Sequence, residues 1–198
     1  MNVGVGIGLR NRQGGGGPAA IVFDSFIDAN GTNLTAHVMD VGSGWTAQLG
    51  GAQTQSNQAK GTATDSILWT DAGTSGHFGT ASFDLTWAAT DTQANIYAAS
   101  NGTYQSGWLG YHSIGSGFRI YEQGNVLRGT NNTELVDGSV NHYELKVSAS
   151  AVVFSLNNVA IITYSAAITS YGTHYGFEFY KAAGTPTSTI DNFQVTSP

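Results

Sequence analysis

The chain has 198 residues, 40% of them hydrophobic and only 10% charged, with 27 Gly, no Cys and a formal net charge of −6. That is enough apolar material for one core, while the lack of any basic cluster beyond Arg10 and Arg12 argues against a nucleic-acid groove. The missing cysteines remove disulfide scaffolds and thiolate metal sites, and no run approaches the ~18 apolar residues of a membrane span.

Residues 1–18, MNVGVGIGLRNRQGGGGP, read as a separate element. Val3, Val5, Ile7 and Leu9 alternate with glycines, and Gly14 to Gly17 form a tether closed by Pro18. The basic residues follow the apolar stretch, the reverse of a secretory signal, so export by another route is expected. Two readings stand: a frayed tail, or an anchor strand that adds to a neighbouring subunit's sheet.

Residues 19–198 read as one β-domain. Strands are predicted at Ile21–Phe26, Trp45–Leu49 and Ser66–Thr70, with a polar edge or loop over 53–60. In Thr80–Trp87, Ala81, Phe83, Leu85 and Trp87 share one face, the period of two expected of a half-buried strand. Ala94–Ala98, Trp108–Ser113, Gly117–Glu122 and Asn125–Arg128 follow. The stretch Gly138–Tyr164 carries three successive strands: Tyr143, Leu145 and Val147 alternate with polar residues, Val152, Phe154 and Leu156 resume the period, and Asn157-Asn158 supplies a tight turn before Val159. His174–Lys181 sets Tyr175, Phe177 and Phe179 against His174, Glu178 and Tyr180. In the closing strand, Thr189–Thr196, Asp191, Phe193 and Val195 are expected on one face. Many short strands, abundant Gly and no helical period predict an all-β, two-sheet antiparallel β-sandwich.

Catalytic spacing is missing. No two carboxylates stand two residues apart, so no single strand offers the acid and nucleophile pair of glycoside hydrolysis, and there is neither a Gly-x-Ser-x-Gly elbow nor a Cys nucleophile. A non-enzymatic protein is expected. The five His are scattered; His142 with Glu144, and His174 with Glu178, read as pairs on solvated strand faces rather than as ligands. Asp28, Asn30 and Asn33 offer oxygens for Ca²⁺ but lack the acidic density of a strong site, so neither calcium nor any other cofactor is predicted.

Sugar binding needs an aromatic face bordered by hydrogen-bonding groups. Trp69 and Trp87 fall among core positions. Tyr104, Trp108, Tyr111, Arg119 and Tyr121 are the carbohydrate-binding candidates: with Phe118 and Ile120 inward, Arg119 and Tyr121 point outward beside a loop-rich segment. Surface aromatics or a subunit contact are the competing reading of the same residues.

Four stretches carry a family resemblance: Phe23-Asp24-Ser25-Phe26 followed by Asp28 to Leu34, His37 and Asp40 to Trp45; Gly110-Tyr111 with Gly117 to Tyr121; the Tyr143-x-Leu145-x-Val147 hairpin with Leu156-Asn157-Asn158; and Ile190-Asp191-Asn192-Phe193-x-Val195. In this order they resemble the concanavalin A-like (laminin G-like) jelly roll, in the form found in tailed phages and phage-like particles. The resemblance implies neighbouring first and last strands, placing Phe23 and Phe26 near Phe193. It also implies a virion surface protein (head decoration, fibre or tail-associated), located on the virion or outside cells. Residues 1–18, through Val3, Val5, Ile7 and Leu9, would attach it to other virion proteins. The sandwich would touch host-surface glycans, with trimers a common state and neither nucleic acid nor membrane as partner. A stand-alone lectin is the alternative, and a glycoside hydrolase or lyase the least favoured reading.

Overall fold

A computed structural model describes residues 20–73 and 77–197, and every regular element in them is a strand. In chain order these are β1 (Ala20–Asp24), β2 (Thr46–Leu49), β3 (Ala52–Thr54), β4 (Ala59–Gly61), β5 (Asp65–Asp71), β6 (Gly79–Thr86), β7 (Gln93–Ser100) and β8 (Trp108–Ser113). They continue as β9 (Gly117–Glu122), β10 (Val126–Asn131), β11 (Val140–Val147), β12 (Ala151–Leu156), β13 (Val159–Ser165), β14 (His174–Tyr180) and β15 (Thr189–Thr196). The polar stretch over 53–60, expected as a strand edge or a loop, holds parts of two short strands, β3 and β4, with a loop between them.

Two antiparallel sheets result. The eight-stranded sheet runs β13-β12-β11-β6-β15-β4-β3, with β1 lying against the remainder of β15; the seven-stranded sheet runs β10-β9-β8-β7-β14-β5-β2. First and last strands are neighbours as expected, Asp24 facing Phe193. The predicted trio forms β11, β12 and β13, and its turn residues Asn157 and Asn158 take φ of 52° and 65°, the left-handed pair that a two-residue hairpin requires.

Inward side chains of both sheets fill one core. Its rings meet mostly edge to face: Trp45 with Phe193 (4.9 Å between centroids), Tyr143 with Phe154 (5.5 Å) and Phe118 with Phe154 (5.4 Å). Gly110 faces this core, and a Cβ there would lie 2.7 Å from Ile96 and 3.1 Å from Phe154; the missing side chain is the space those residues occupy. The closing strand departs from simple alternation. A bulge at Asn192 (φ 52°) resets the phase, so Ile190, Phe193 and Val195 are buried and Asp191 is not.

Buried Asp24 holds the loop between β1 and β2. Its Oδ1 accepts from Phe26 N (2.7 Å) and contacts His37 Nε2 (2.8 Å), while Oδ2 accepts from Trp45 Nε1 (2.6 Å). Phe26, fully buried, sits at φ 51°, a conformation that a bulky side chain adopts only when its surroundings enforce it. Burial works to lower the His37 pKa, but Asp24 and Asp28 outweigh it and raise the pKa above the ordinary value. Phe26 reaches Phe193 through Trp45, against which it stacks at 6.0 Å. Phe23 points away, only partly buried.

Candidate functional site

The outer face of an antiparallel sheet is normally wet and polar. The eight-stranded sheet follows that rule: His142 and Asp84 pair there across neighbouring strands, Nδ1 to Oδ1 at 2.8 Å, so His142 partners Asp84 instead of Glu144. The seven-stranded sheet does not. Ile67, Trp69 and Tyr97 lie on its outer face yet are at most 1% exposed, and with Leu109 they form a second apolar cluster. Trp69 was expected in the main core beside Trp87; it is buried, but on the other side of its sheet.

Strand register lays out the face in rows. One row reads Arg119, Tyr111, Asn95, Glu178 and Ile67 across β9, β8, β7, β14 and β5. The next reads Tyr121, Leu109, Tyr97, Gly176 and Trp69. Between them the strands hold a cavity of about 250 Å³ whose walls include Tyr104, Tyr111 and Tyr121, whose rim carries Gln93, Gln105 and Asn125, and whose floor is Asn95, Tyr97, Leu109 and Glu178. This is below the ~300–1,000 Å³ of pockets that engulf drug-sized ligands, a volume suited to one ring or chain end.

Local structure fixes the walls. Tyr111 and Tyr121 meet edge to face at 5.6 Å. Tyr104, 47% exposed, stands on the loop between β7 and β8. That loop is tied at its base by Ser100 and Ser106, whose hydroxyls are 2.5 Å apart, and at its tip by Gly124 N donating to Gln105 O at 3.0 Å, which joins it to the β9–β10 turn. Gly107 closes the loop at φ 79°, where a Cβ would fall 2.6 Å from Ser100 Cα.

Glu178 is the charged residue of the floor and is 4% exposed. Its Oε2 accepts from the Tyr97 hydroxyl at 2.5 Å and from Asn95 Nδ2 at 2.8 Å. Asn95 is itself oriented by His112 N, which donates to its Oδ1 at 3.3 Å. Burial, reinforced by the nearby Asp65 charge, raises the Glu178 pKa to about 7. Burial likewise raises Asp65, which stands on β5 two residues before Glu178's register partner Ile67 and whose Oδ1 is buried without a protein donor. Neighbouring carboxyls resist ionising together, which favours a proton on one of them. Burial and the Glu178 charge push the Tyr97 phenol well above its usual range, so it remains a donor.

No family model and no curated protein sequence matches the chain. Solved structures do. Carbohydrate-binding module CBM66 from Bacillus subtilis superposes with a TM-score of 0.65 at 17% identity, over 79% of this chain and 97% of that one. Domain 4 of AbnA, an extracellular arabinanase from Geobacillus stearothermophilus solved with arabinotriose, gives 0.60 at 11% identity over 91% and 93%. The carbohydrate recognition domain of Emp47p gives 0.60 at 10% identity over 91% and 99%. The likeness is one of fold. It agrees with the jelly-roll sandwich that the sequence motifs resemble.

Of the five sequence candidates, the structure brings Tyr104, Tyr111 and Tyr121 to one cavity. Trp108 is not there: it is fully buried, with Nε1 donating to Thr169 O at 3.0 Å, because β8 turns Trp108, Gly110 and His112 inward. Arg119 points outward as predicted but stands beside Tyr111 outside the lining, three strands and about 14 Å of sheet from Glu178. Val3, Val5, Ile7 and Leu9 lie outside the described residues. Sequence reasoning missed Gln93, Asn95, Tyr97, Gln105, Leu109, Asn125 and Glu178. The single usable signal was Glu178 itself, a carboxylate between Phe177 and Phe179 on a strand dense in aromatics. Among the described residues no group of three or more His, Asp or Glu is placed to hold a metal; Asp28 caps Ala29 N and contacts His37, and Asn30 accepts from Ser56 N.

Proposed function

We propose that this domain binds glycans, through the cavity on the outer face of its seven-stranded sheet. The observation that carries the reading is the cavity's make-up: three tyrosine rings on the walls, amide side chains on the rim, and an ordered Tyr97–Glu178–Asn95 floor. Tyrosine rings cover the apolar face of a sugar while amides and carboxyls pair with its hydroxyls. Support comes from solved structures of similar fold: a carbohydrate-binding module, a carbohydrate recognition domain and an arabinanase domain holding arabinotriose. Hydrolysis fits poorly. Among the described residues Glu178 is the one carboxylate of the cavity lining, whereas glycoside hydrolysis uses two that flank the scissile bond. A glycan array followed by calorimetry on the best ligand tests the reading. Replacing Tyr111 or Tyr121 by Ala should weaken binding at least about tenfold with folding intact, since both rings are partly exposed. Affinity unchanged in both variants would overturn it.

The Gly-alternating segment and its tether favour display of the domain on a virion surface, with residues 1–18 as the attachment and host-surface glycans as targets. Deleting residues 1–17 should abolish incorporation into particles; full incorporation of the truncated chain refutes the attachment.

A further inference from the structure

The cavity is electrostatically one-sided. Among the described residues none of its lining side chains is Lys, Arg or His, and the charged member of the lining is Glu178. Asp65, two residues before Glu178's register partner Ile67 on β5, is outside the lining and adds its charge to that of Glu178. Negative charge on this pair sits on Glu178, which is buried, or on Asp65, which is half-buried, and solvent screens it less there than on an open surface. The Tyr97 hydroxyl and Asn95 amide that might have offset this charge for a ligand are already committed to Glu178 Oε2. The outward cation of the same row, Arg119, is separated from Glu178 by the Tyr111 and Asn95 positions. A carboxylate or sulfate entering the cavity would therefore meet like charge at the floor with no cation in the lining, and would lose its own hydration. A sugar hydroxyl meets acceptors, amide donors and tyrosine hydroxyls that it can use.

We propose that this pocket takes an uncharged saccharide and turns away uronate, sialylated and sulfated ones, with the Asp65–Glu178 pair as the discriminating element. The proposal rests on the glycan-binding reading and adds its ligand class. Discrimination of this kind works through repulsion built against the wrong ligand, not through extra contact with the right one.

The test uses the full chain on an array of matched oligosaccharides, each backbone present in neutral form and in sialylated, sulfated or uronate form. Acidic forms should bind at least about tenfold more weakly than their neutral partners at pH 7.5. The double substitution Asp65→Asn with Glu178→Gln removes the charge and keeps hydrogen-bonding shape; a thermal melt confirms that it folds, and the acidic-to-neutral affinity ratio should rise towards one. Acidic forms bound as well as neutral ones by the native chain overturn the proposal, as does a ratio unmoved by the double substitution. So does acidic-glycan binding that Arg119→Ala abolishes. Silence across the whole array strikes the glycan-binding reading itself, whereas binding indifferent to charge strikes this proposal alone.

Discussion

Trp69 and Tyr97 stand two strands apart on the outer face, yet their rings meet edge to face with centroids 4.7 Å apart. Strand spacing alone would separate them by about 9.6 Å. The residue between them in register is Gly176, and a Cβ there would fall 2.0 Å from Leu68 O and 3.0 Å from the Trp69 ring. Absence of that side chain lets Trp69 lie across β14 and brace Tyr97, whose hydroxyl then holds Glu178. Gly176→Ala should therefore lower stability by about 2–3 kcal/mol and disorder the cavity floor. A urea midpoint equal to the native one would contradict this packing.

Glu178 makes stability depend on pH. Its folded pKa, raised by burial to about 7, exceeds the ordinary 4.5, so the folded chain favours the protonated acid. The associated stabilisation is complete below pH 4.5 and is lost as pH rises through 7, a change of about 3 kcal/mol. In Glu178→Gln the carbonyl oxygen can keep the Tyr97 and Asn95 bonds while the titrating group is removed. Its melting temperature should match the native chain near pH 4.5 and exceed it at pH 8. Parallel melting curves across that range would refute the buried-acid account.

The hairpin β11–β12–β13 was legible residue by residue because its signals are local: a clean period of two, then two asparagines that tolerate positive φ. Tyr121 was legible through its alternation with Phe118 and Ile120. The phase of β8 was not. Trp108, Leu109, Gly110 and Tyr111 offer apolar surface in both phases, and the choice is made by Phe154 of the opposite sheet, which takes the space that Gly110 leaves. Nor could Glu178 be read as a floor, since its partners come from β5 and β7, separated from it by some eighty residues or more of chain. Pairing order, not periodicity, assembles that site.

The Asp24 network predicts an unusual intolerance to a near-isosteric change. Both carboxylate oxygens are engaged: Oδ2 accepts from Trp45, and Oδ1 accepts from Phe26 N and contacts His37. Asp24→Asn turns one acceptor into a donor, which must then face the Trp45 N–H or the Phe26 N–H. Because Asp24 is fully buried, water cannot repair the mismatch. A loss of about 2–4 kcal/mol is expected, enough to lower the melting temperature visibly, and Phe26 would lose the hydrogen bond that helps hold it at positive φ. A variant as stable as the native chain would show that packing of Trp45 and Phe193, rather than the carboxylate, fixes this loop.

His112 predicts the response to acid. It is fully buried on the inner face, edge-on to Trp87 at 4.8 Å and against Phe118 at 4.7 Å. Neither ring nitrogen has a hydrogen-bond partner, and Glu134 Oε2 stands 3.6 Å from Nε2. Burial lowers its pKa to about 4, outweighing the opposing pull of Glu134. Above pH 6.5 the ring is neutral in folded and unfolded chains alike, so it leaves stability independent of pH. As pH falls from 6.5 towards 4, the unfolded chain takes up a proton that the folded chain refuses, and about 3 kcal/mol of stability drains away. His112→Leu keeps the backbone N–H that orients Asn95 and removes this proton uptake. Its stability should decline less than the native chain's over that window, measured as urea midpoints at pH 7, 5.5 and 4.5. Equal declines would mean that the ring is protonated within the fold, with Glu134 as its counter-charge.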